Sequence, residues 1–255
     1  MMFFPDTEFV LACLLLGTVV GFFAGMLGIG GGALLVPILV SLFERLHVTP
    51  DHAIAALNAR ASGPVAEGST GGGNGMIAYE FKGGTGTSSR RVPIGGQEYT
   101  VAALVQANHG IRPWLTILGR PVGRLMPEGA LHSAEMGSII VILATDAPLS
   151  GLSLRQVAKR AAIGIGRGGT PGGNNSGDIF LAFSTANESP MPQFATPVLT
   201  KQELNIERLD PLYLAAVEAI EEAVVNALVA GETVDTVKPS GRICPALDTS
   251  RLREI

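Results

Sequence analysis

The chain has 255 residues, of which 47% are hydrophobic and 16% charged, so it is long enough for one large domain or two small ones. A net charge of −4 gives no electrostatic reason to expect a nucleic-acid partner. Neither the two cysteines, Cys13 and Cys244, nor the four histidines show the spacing of a disulfide framework or a metal site. We therefore expect neither a metal nor another cofactor.

Residues 9–43 form a long uncharged, apolar run, FVLACLLLGTVVGFFAGMLGIGGGALLVPILVSLF. The run is longer than the roughly 20 residues that span a bilayer, but the glycines at 28–32 interrupt it. One tilted helix, two partial helices around the break and a buried helical hairpin all fit this pattern. We expect residues 1–57 to be an apolar helical segment that associates with a membrane through residues 9–43.

Within this segment, the stretch GFFAGMLGIGGGALLVPIL resembles the first hairpin of the TauE/SafE-type sulfite exporters. The resemblance covers residues 9–57. Those transporters contain several such hairpins, and no later part of this chain is apolar for long enough to supply another. The resemblance therefore implies a membrane anchor or a remnant, and transport is the poorest of the functions considered.

After residue 58 the sequence predicts alternating strands and helices. A strand pattern in YTVAALVQA is followed by an apolar β-branched run at Gly137–Leu149. A helix is predicted at Ser153–Arg167 with Ser153 as its N-cap, and DIFLAFST is predicted to be a buried strand. The clearest helix is Asp210–Gly231, with Asp210 as cap and a proline in its first turn. This order indicates a layered α/β domain over residues 58–255.

Ser176 lies between a Gly-Gly-Asn-Asn turn and the predicted strand that follows Gly177 and Asp178. It could be an ordinary turn serine, or part of a phosphate loop, although the lysine of such a loop is absent. It could also be a nucleophile. A cut before Ser176 would free an α-amino group with a pKa of about 7.7–8.0, which can serve as the base for its own hydroxyl. The flexible turn would allow the strained geometry of such a cut.

Six blocks in order make residues 61–255 similar to the L-aminopeptidase/D-esterase (DmpA-type, peptidase S58) family, which includes the β-peptidyl aminopeptidases. The blocks are GPVAEGSTGGGNGMIAYEFKGGTGTSSR, YTVAALVQANHG, RPVGRLMPEG, GSIIVILATDAPL, NNSGDIFLAFSTAN and EAIEEAVVNALVAGETV. The resemblance implies an αββα sandwich similar to N-terminal-nucleophile hydrolases, self-cleavage between Asn175 and Ser176, and a homo-oligomer. Relatives have a longer segment before the first block, so the sandwich should be incomplete here, with exposed strand edges and apolar faces.

The resemblance also implies roles for three residues. Ser176 would be the nucleophile, and Asn108, after the YTVAALVQA strand, would donate a hydrogen bond to the oxyanion. Glu221, on the last helix, would orient the nucleophile or hold the amine of the substrate. Some relatives have a serine where this chain has Ala219, which removes any hydroxyl relay through that position.

Plainer explanations exist for several of these side chains. Asn108 could simply close a turn, and Glu221 could belong to a solvated helix face. Asp178 and Asn187 are weaker candidates, because both could serve turns. Tyr79 and Lys82 are expected to be structural.

Two functions from different classes follow. The first is a self-processing serine aminopeptidase or amidase that removes N-terminal residues from short peptides, amides or esters. The second is a non-catalytic, membrane-anchored fusion or remnant. The protein would be membrane-associated if its N-terminal segment inserts, and cytoplasmic otherwise.

Overall fold

The computed structural model describes residues 49–188, 197–236 and 240–255. The chain divides into two compact units, residues 1–63 and 64–255. The described part of the first unit contains helix α1, Pro50–Asn58, and the predicted domain boundary after residue 57 falls at its end. The predicted apolar hairpin at residues 9–43 lies outside the described residues. Among the helices of the described residues, none combines the length and the apolar character needed to cross a membrane.

The second unit is built on a four-stranded sheet. Its strands are β3, Gly84–Ile94, β4, Gln97–Asn108, β5, Ser138–Thr145, and β6, Ile179–Ser184, in the order β3-β4-β5-β6. The pairs β3–β4 and β4–β5 are antiparallel, whereas β5–β6 is parallel. Two short ribbons flank the sheet: β1, Ile77–Ala78, with β2, Phe81–Lys82, and β7, Val234–Asp235, with β8, Ile243–Cys244.

The sequence did not predict β3, because its residues GTGTSSRRVPI show no apolar alternation. Tertiary contacts make it a strand. Gly95 and Gly96 both have positive φ, 61° and 83°, which suits a two-residue turn between β3 and β4. A Cβ atom on Gly86 would lie 1.9 Å from the carbonyl oxygen of Ala223, so glycine is required where a helix crosses the strand.

One layer of helices packs on this sheet. The long helix α5, Asp210–Val229, lies against β3 and β4, and it is joined by α3, Gly151–Lys159, and α4, Ala161–Arg167. The remaining helices are α2, Val122–Leu125, and α6, Thr249–Leu252, with 3₁₀ turns at Gly71–Gly75, Arg112–Trp114 and Ile206–Arg208.

The predicted strands at β4, β5 and β6 and the long helix α5 are confirmed, but two helix starts were placed wrongly. The predicted helix at 153–167 consists of α3 and α4, which meet at Arg160. Its cap is Ser150, whose hydroxyl accepts a hydrogen bond from the N–H of Ser153. Similarly, Asp210 lies in the first turn of α5, and Leu209 occupies the cap position.

The two faces of the sheet differ in burial. The face against the helices is buried and carries aliphatic side chains such as Val105, Val141 and Leu143. The opposite face exposes four apolar side chains, which we call the outer sheet face: Ile140 (41%), Ile179 (59%), Leu181 (55%) and Phe183 (43%). The prediction that β6 is a buried strand is therefore wrong, because its residues alternate between exposed and half-buried.

The outer sheet face is exposed because no described residue covers it. The α/β layering is confirmed, but the second sheet and second helix layer of the predicted αββα sandwich are not among the described residues. The sequence predicted exposed apolar faces on this domain, and the described residues of the sheet expose them.

Candidate active site

Three strand ends meet at one edge of the sheet. Asn108, the last residue of β4, pairs with Ser138, the first residue of β5. Because β5 and β6 are parallel, β6 also begins at this edge, directly after Asp178. The hydroxyl of Ser138 accepts a hydrogen bond from the N–H of Gly177 at 2.8 Å. Ser176 and Asn108 are 68 positions apart in the sequence, and the fold brings them to the same edge of the sheet.

Ser176 closes a tight turn. Its N–H donates to the carbonyl oxygen of Gly173 at 2.9 Å, so the Asn175–Ser176 peptide bond is the last bond of the four-residue turn. The Ser176 hydroxyl donates to Oδ1 of Asp178 at 2.5 Å. The same carboxylate oxygen accepts a hydrogen bond from the N–H of Ile139 at 3.0 Å. The hydroxyl is therefore held beside a carboxylate that is itself fixed to β5.

The turn is tied to the end of β4 by the buried carboxylate of Glu135. Oε2 accepts a hydrogen bond from the N–H of Gly173 at 2.6 Å, and Oε1 accepts one from the N–H of Gly110 at 2.6 Å. The hydroxyl of Thr170 also donates to Oε1, at 3.3 Å. A Cβ on Gly173 would lie 2.2 Å from Oε2, so a side chain here would displace the carboxylate from the N–H of Gly173. Glu135 was missed in the sequence because no motif marks it.

The side-chain amide of Asn108 has a defined orientation. Its Oδ1 accepts a hydrogen bond from the N–H of Ile77 at 2.9 Å, which an amide nitrogen could not do. Nδ2 is therefore the donor that faces Gly137 at the start of β5, where an added Cβ would lie 2.8 Å from it. An oriented N–H donor is what a developing oxyanion needs.

The loop above Asn108 contains a strained turn. Tyr79 and Glu80, between β1 and β2, both have positive φ, 48° and 61°. These values suit a two-residue hairpin turn, but they are unfavourable for residues other than glycine. The buried Arg112 holds this turn by donating to the carbonyl oxygens of Tyr79 at 2.9 Å and Glu80 at 2.6 Å. The N–H of Tyr79 donates to the carbonyl oxygen of His109 at 2.8 Å, which attaches the turn to the end of β4.

His109 is a buried side chain that the sequence did not single out for catalysis. Neither ring nitrogen has a hydrogen-bond partner among the described residues. Burial lowers the pKa of His109 to about 4, against the opposing effect of the Asp178 carboxylate. The imidazole is therefore neutral at pH 7. The ring of Tyr79 packs against it edge-on, at 5.0 Å between centroids.

Glu221 lies on α5 and lines a different cavity from Asn108. Its Oε2 pairs with Nη1 of Arg167 at 2.9 Å, and both line a cavity of about 630 Å³. A second cavity, of about 90 Å³, is lined by Asn108 among others. It shares no lining residue with the cavity beside Glu221. Within the described ranges, no hydrogen bond or ion pair joins Glu221 to Ser176 or Asn108. Its proposed role at the nucleophile remains a prediction.

Several other candidate side chains hold the structure together. Glu218 and Glu222, the neighbours of Glu221, both pair with Arg90 of β3 and so connect α5 to the sheet. The Asn187 side chain bonds both backbone groups of Gln202, each at 2.9 Å, and serves a loop. The buried Lys82 ammonium donates to the carbonyl oxygens of Gly73, Met76 and Gly83, so the prediction that it is structural is confirmed.

The chain is similar to a known peptidase family and to two curated proteins. The family model described as peptidase family S58 matches residues 38–241. The chain is 43% identical over 246 residues to the beta-peptidyl aminopeptidase BapA of Sphingosinicella microcystinivorans, covering 88% of this chain and 61% of that protein. It is 44% identical over 200 residues to BapA of Sphingosinicella xenopeptidilytica, covering 73% and 50%. The chain thus spans between half and two thirds of the length of these relatives.

The chain is also similar to solved structures. The L-aminopeptidase D-Ala-esterase/amidase of Ochrobactrum anthropi, described as a variant of the Ntn hydrolase fold, is 55% identical with a TM-score of 0.77, over 83% of this chain and 58% of that one. A Burkholderia sp. beta-aminopeptidase is 44% identical with a TM-score of 0.70, over 82% and 58%. The second unit therefore has an Ntn-hydrolase-like α/β fold.

The same comparisons limit the second resemblance. They do not show the exporter-like hairpin predicted at residues 9–57, and residues 38–57 of it lie within the peptidase match. The resemblance over residues 61–255 is supported by the family match, by four relatives and structures, and by the shared fold. The chain belongs to peptidase family S58.

Proposed function

We propose that the chain is a self-processing serine aminopeptidase or amidase that acts on short peptides, amides or esters. The observation that carries this proposal is the turn ending at Ser176. Its hydroxyl lies against a carboxylate, its own peptide bond to Asn175 is the last bond of the turn, and it shares a sheet edge with Asn108. The names of the relatives, aminopeptidase and esterase/amidase, support the same class.

In the processed protein, Ser176 would begin a new chain. Its free α-amine takes the proton of its hydroxyl, and Oγ attacks the carbonyl carbon of the substrate. Nδ2 of Asn108 donates to the oxygen on which negative charge develops. The leaving amine takes the proton, and water then hydrolyses the ester on Ser176. No metal or cofactor takes part in this sequence.

Glu221 is proposed to hold the free amine of the substrate. A carboxylate is the natural partner for an ammonium group, but here it is paired with Arg167. This role therefore requires that Arg167 release Glu221 when a substrate binds. We further propose that the complete sandwich is αββα and that the protein works as a homo-oligomer, as the family resemblance implies.

The first test is the intact mass of the purified chain beside that of Ser176→Ala. The wild type should yield two fragments, residues 1–175 and 176–255, because the hydroxyl attacks the Asn175 carbonyl. Ser176→Ala should remain one chain, because it has no nucleophile. An uncut wild type, or a variant that is cut at the same bond, would contradict the proposal.

The second candidate is a non-catalytic protein held at a membrane by residues 9–43, and the exposed outer sheet face favours it. In this candidate function the outer sheet face stays uncovered and the site does not assemble. In that case the wild type stays uncut, shows no amidase activity and remains in the membrane fraction after a carbonate wash. Release of the uncut chain by the wash would exclude the anchor.

A further inference from the structure

The proposed function leaves the first chemical step without a base. Before cleavage, the nitrogen of Ser176 is part of the amide bond to Asn175, and its N–H donates to the carbonyl oxygen of Gly173. An amide nitrogen is not basic, so the α-amine that would serve the processed enzyme does not yet exist. Some other group must accept the proton of the hydroxyl during self-cleavage. The inference below rests on the proposed function.

The groups near Ser176 can be compared one by one. Both carboxylate oxygens of Glu135 already accept hydrogen bonds from the backbone of Gly110 and Gly173. His109 is fully buried, and neither of its ring nitrogens has a hydrogen-bond partner among the described residues, so it does not contact the Ser176 hydroxyl. The Ser138 hydroxyl accepts the N–H of Gly177 and is not basic. Among the described residues, Asp178 is the carboxylate to which the Ser176 hydroxyl donates, at 2.5 Å.

The position of Asp178 is fixed independently of Ser176. Its Oδ1 also accepts the N–H of Ile139 at 3.0 Å, and Ile139 is a fully buried residue of β5. The carboxylate is thus held by the sheet while the turn before it carries the bond to be cut. The Asp178 carboxylate therefore lies at hydrogen-bond distance from the Ser176 hydroxyl, as proton transfer between the two groups requires.

We propose that Asp178 is the general base of self-cleavage, and that its task as base passes to the α-amine once the chain is cut. The Ser176 hydroxyl proton moves to the Asp178 carboxylate as Oγ forms a bond to the carbonyl carbon of Asn175. The carbon–nitrogen bond then breaks, and the proton passes from Asp178 to the leaving nitrogen. The product is an ester between Asn175 and the Ser176 hydroxyl. Water hydrolyses it to the Asn175 carboxylate and a free N-terminal serine.

The alternative is that Asp178 only shapes the turn. Asp178→Asn separates the two roles, because the amide oxygen still accepts from Ser176 and Ile139 but cannot take up a proton at neutral pH. Asp146 provides the matched control. Its Oδ1 likewise accepts a backbone hydrogen bond, from Thr100 at 2.6 Å, beyond the opposite end of β5, so Asp146→Asn makes the same change away from the site.

The experiment follows fragment formation over time in cell-free translation of the full chain, with wild type, Ser176→Ala, Asp178→Asn and Asp146→Asn. Asp178→Asn should be slower than wild type by about 100-fold or more, as is typical for loss of a general base. Hydroxylamine, which cleaves esters, should not release fragments from it, because the ester does not form. Asp146→Asn should cut at the wild-type rate.

Each other outcome has a definite meaning. If Asp178→Asn cuts at the wild-type rate, the base assignment is wrong while the proposed function stands. If it accumulates an ester that hydroxylamine cleaves, Asp178 acts in hydrolysis and not in the first step, which also overturns the assignment. If it fails to fold, the carboxylate has a structural task that the amide cannot replace, and this too counts against the proposal. If the wild type itself stays uncut, the proposed function fails.

Discussion

At the scale of single residues, three side chains at the site edge are fixed by backbone groups, whereas a fourth is not. Asn108, Glu135 and Asp178 all accept hydrogen bonds from backbone N–H groups. His109 is completely buried and has no hydrogen-bond partner among the described residues. An unpaired buried imidazole resists protonation, because its charge would be left without water.

This burial predicts how stability depends on pH. The pKa of His109 is about 4 in the folded state, against the ordinary value of 6.5 that applies to the unfolded chain. Between these values the unfolded state binds more protons, so the free energy of unfolding is fully retained above pH 6.5 and falls as the pH drops towards 4. The contribution of His109 should fall by about 2 kcal/mol between pH 7 and pH 5.

Urea denaturation at pH 7 and pH 5 measures this loss. His109→Phe removes the titrating group and should be less sensitive to acid than the wild type by that amount. His132→Gln, at an exposed histidine, should retain the wild-type sensitivity. Equal acid sensitivity of His109→Phe and the wild type would show that burial of the imidazole does not govern this loss.

At the scale of elements, the site depends on loops that are fastened to strand ends. Arg112 holds the strained turn between β1 and β2 through carbonyl oxygens, and Glu135 joins the loop after β4 to the turn before β6. Side-chain-to-backbone bonds of this kind fix loops that have no regular partner strand. The distance between Asn108 and Ser176 is thus set by Glu135 as well as by the sheet.

Glu135→Gln should therefore affect both stability and processing. The amide has one accepting oxygen, so its nitrogen would face the N–H of either Gly110 or Gly173, and one buried donor would lose its partner. We expect a loss of about 2 kcal/mol in the free energy of unfolding. Self-cleavage should also be slower, because the turn before Ser176 is less constrained.

Chemical denaturation of the Ser176→Ala background isolates the stability effect, and the time course of cleavage in the wild-type background gives the rate. Glu128→Gln changes an exposed carboxylate that pairs with Arg251, and it should leave both measurements nearly unchanged. If Glu135→Gln matches the wild type in both, the buried carboxylate does not fasten the two loops.

At the scale of the whole molecule, the sheet of the second unit has one packed face and one face that no described residue covers. Helix α5 covers β3 and β4, whereas the outer sheet face leaves Ile140, Ile179, Leu181 and Phe183 exposed. The similar solved structures are longer, since this chain covers 58% of the Ochrobactrum and Burkholderia proteins. A contiguous apolar patch on a sheet favours association with other surfaces.

The double variant Leu181→Thr, Phe183→Thr should reduce binding of a hydrophobic dye and self-association, because it removes exposed apolar area and keeps strand-forming residues. Its effect on the free energy of unfolding should stay within about 0.5 kcal/mol, as for other exposed positions. Val141→Thr, on the buried face of β5, is the matched control and should cost about 2 kcal/mol, since its hydroxyl is buried without a partner. Unchanged dye binding by the double variant would mean that another surface binds the dye.

The sequence alone determined the parts of this protein that depend on local pattern. Apolar runs and helical spacing predicted β4, β5, β6 and α5, and the Gly-Asn turn before a strand singled out Ser176. Such features can be recognised locally because a strand, a helix or a turn is encoded within about 20 neighbouring residues.

Only the tertiary structure decided the rest. Strand β3 forms from a polar segment because β4 pairs with it and α5 packs on it at Gly86. Glu135 became a site residue through N–H groups 25 and 38 positions away, and Glu221 came to face Arg167, 54 positions away. Partners so distant leave no pattern in the sequence around either residue, because the contact exists only after the chain has folded.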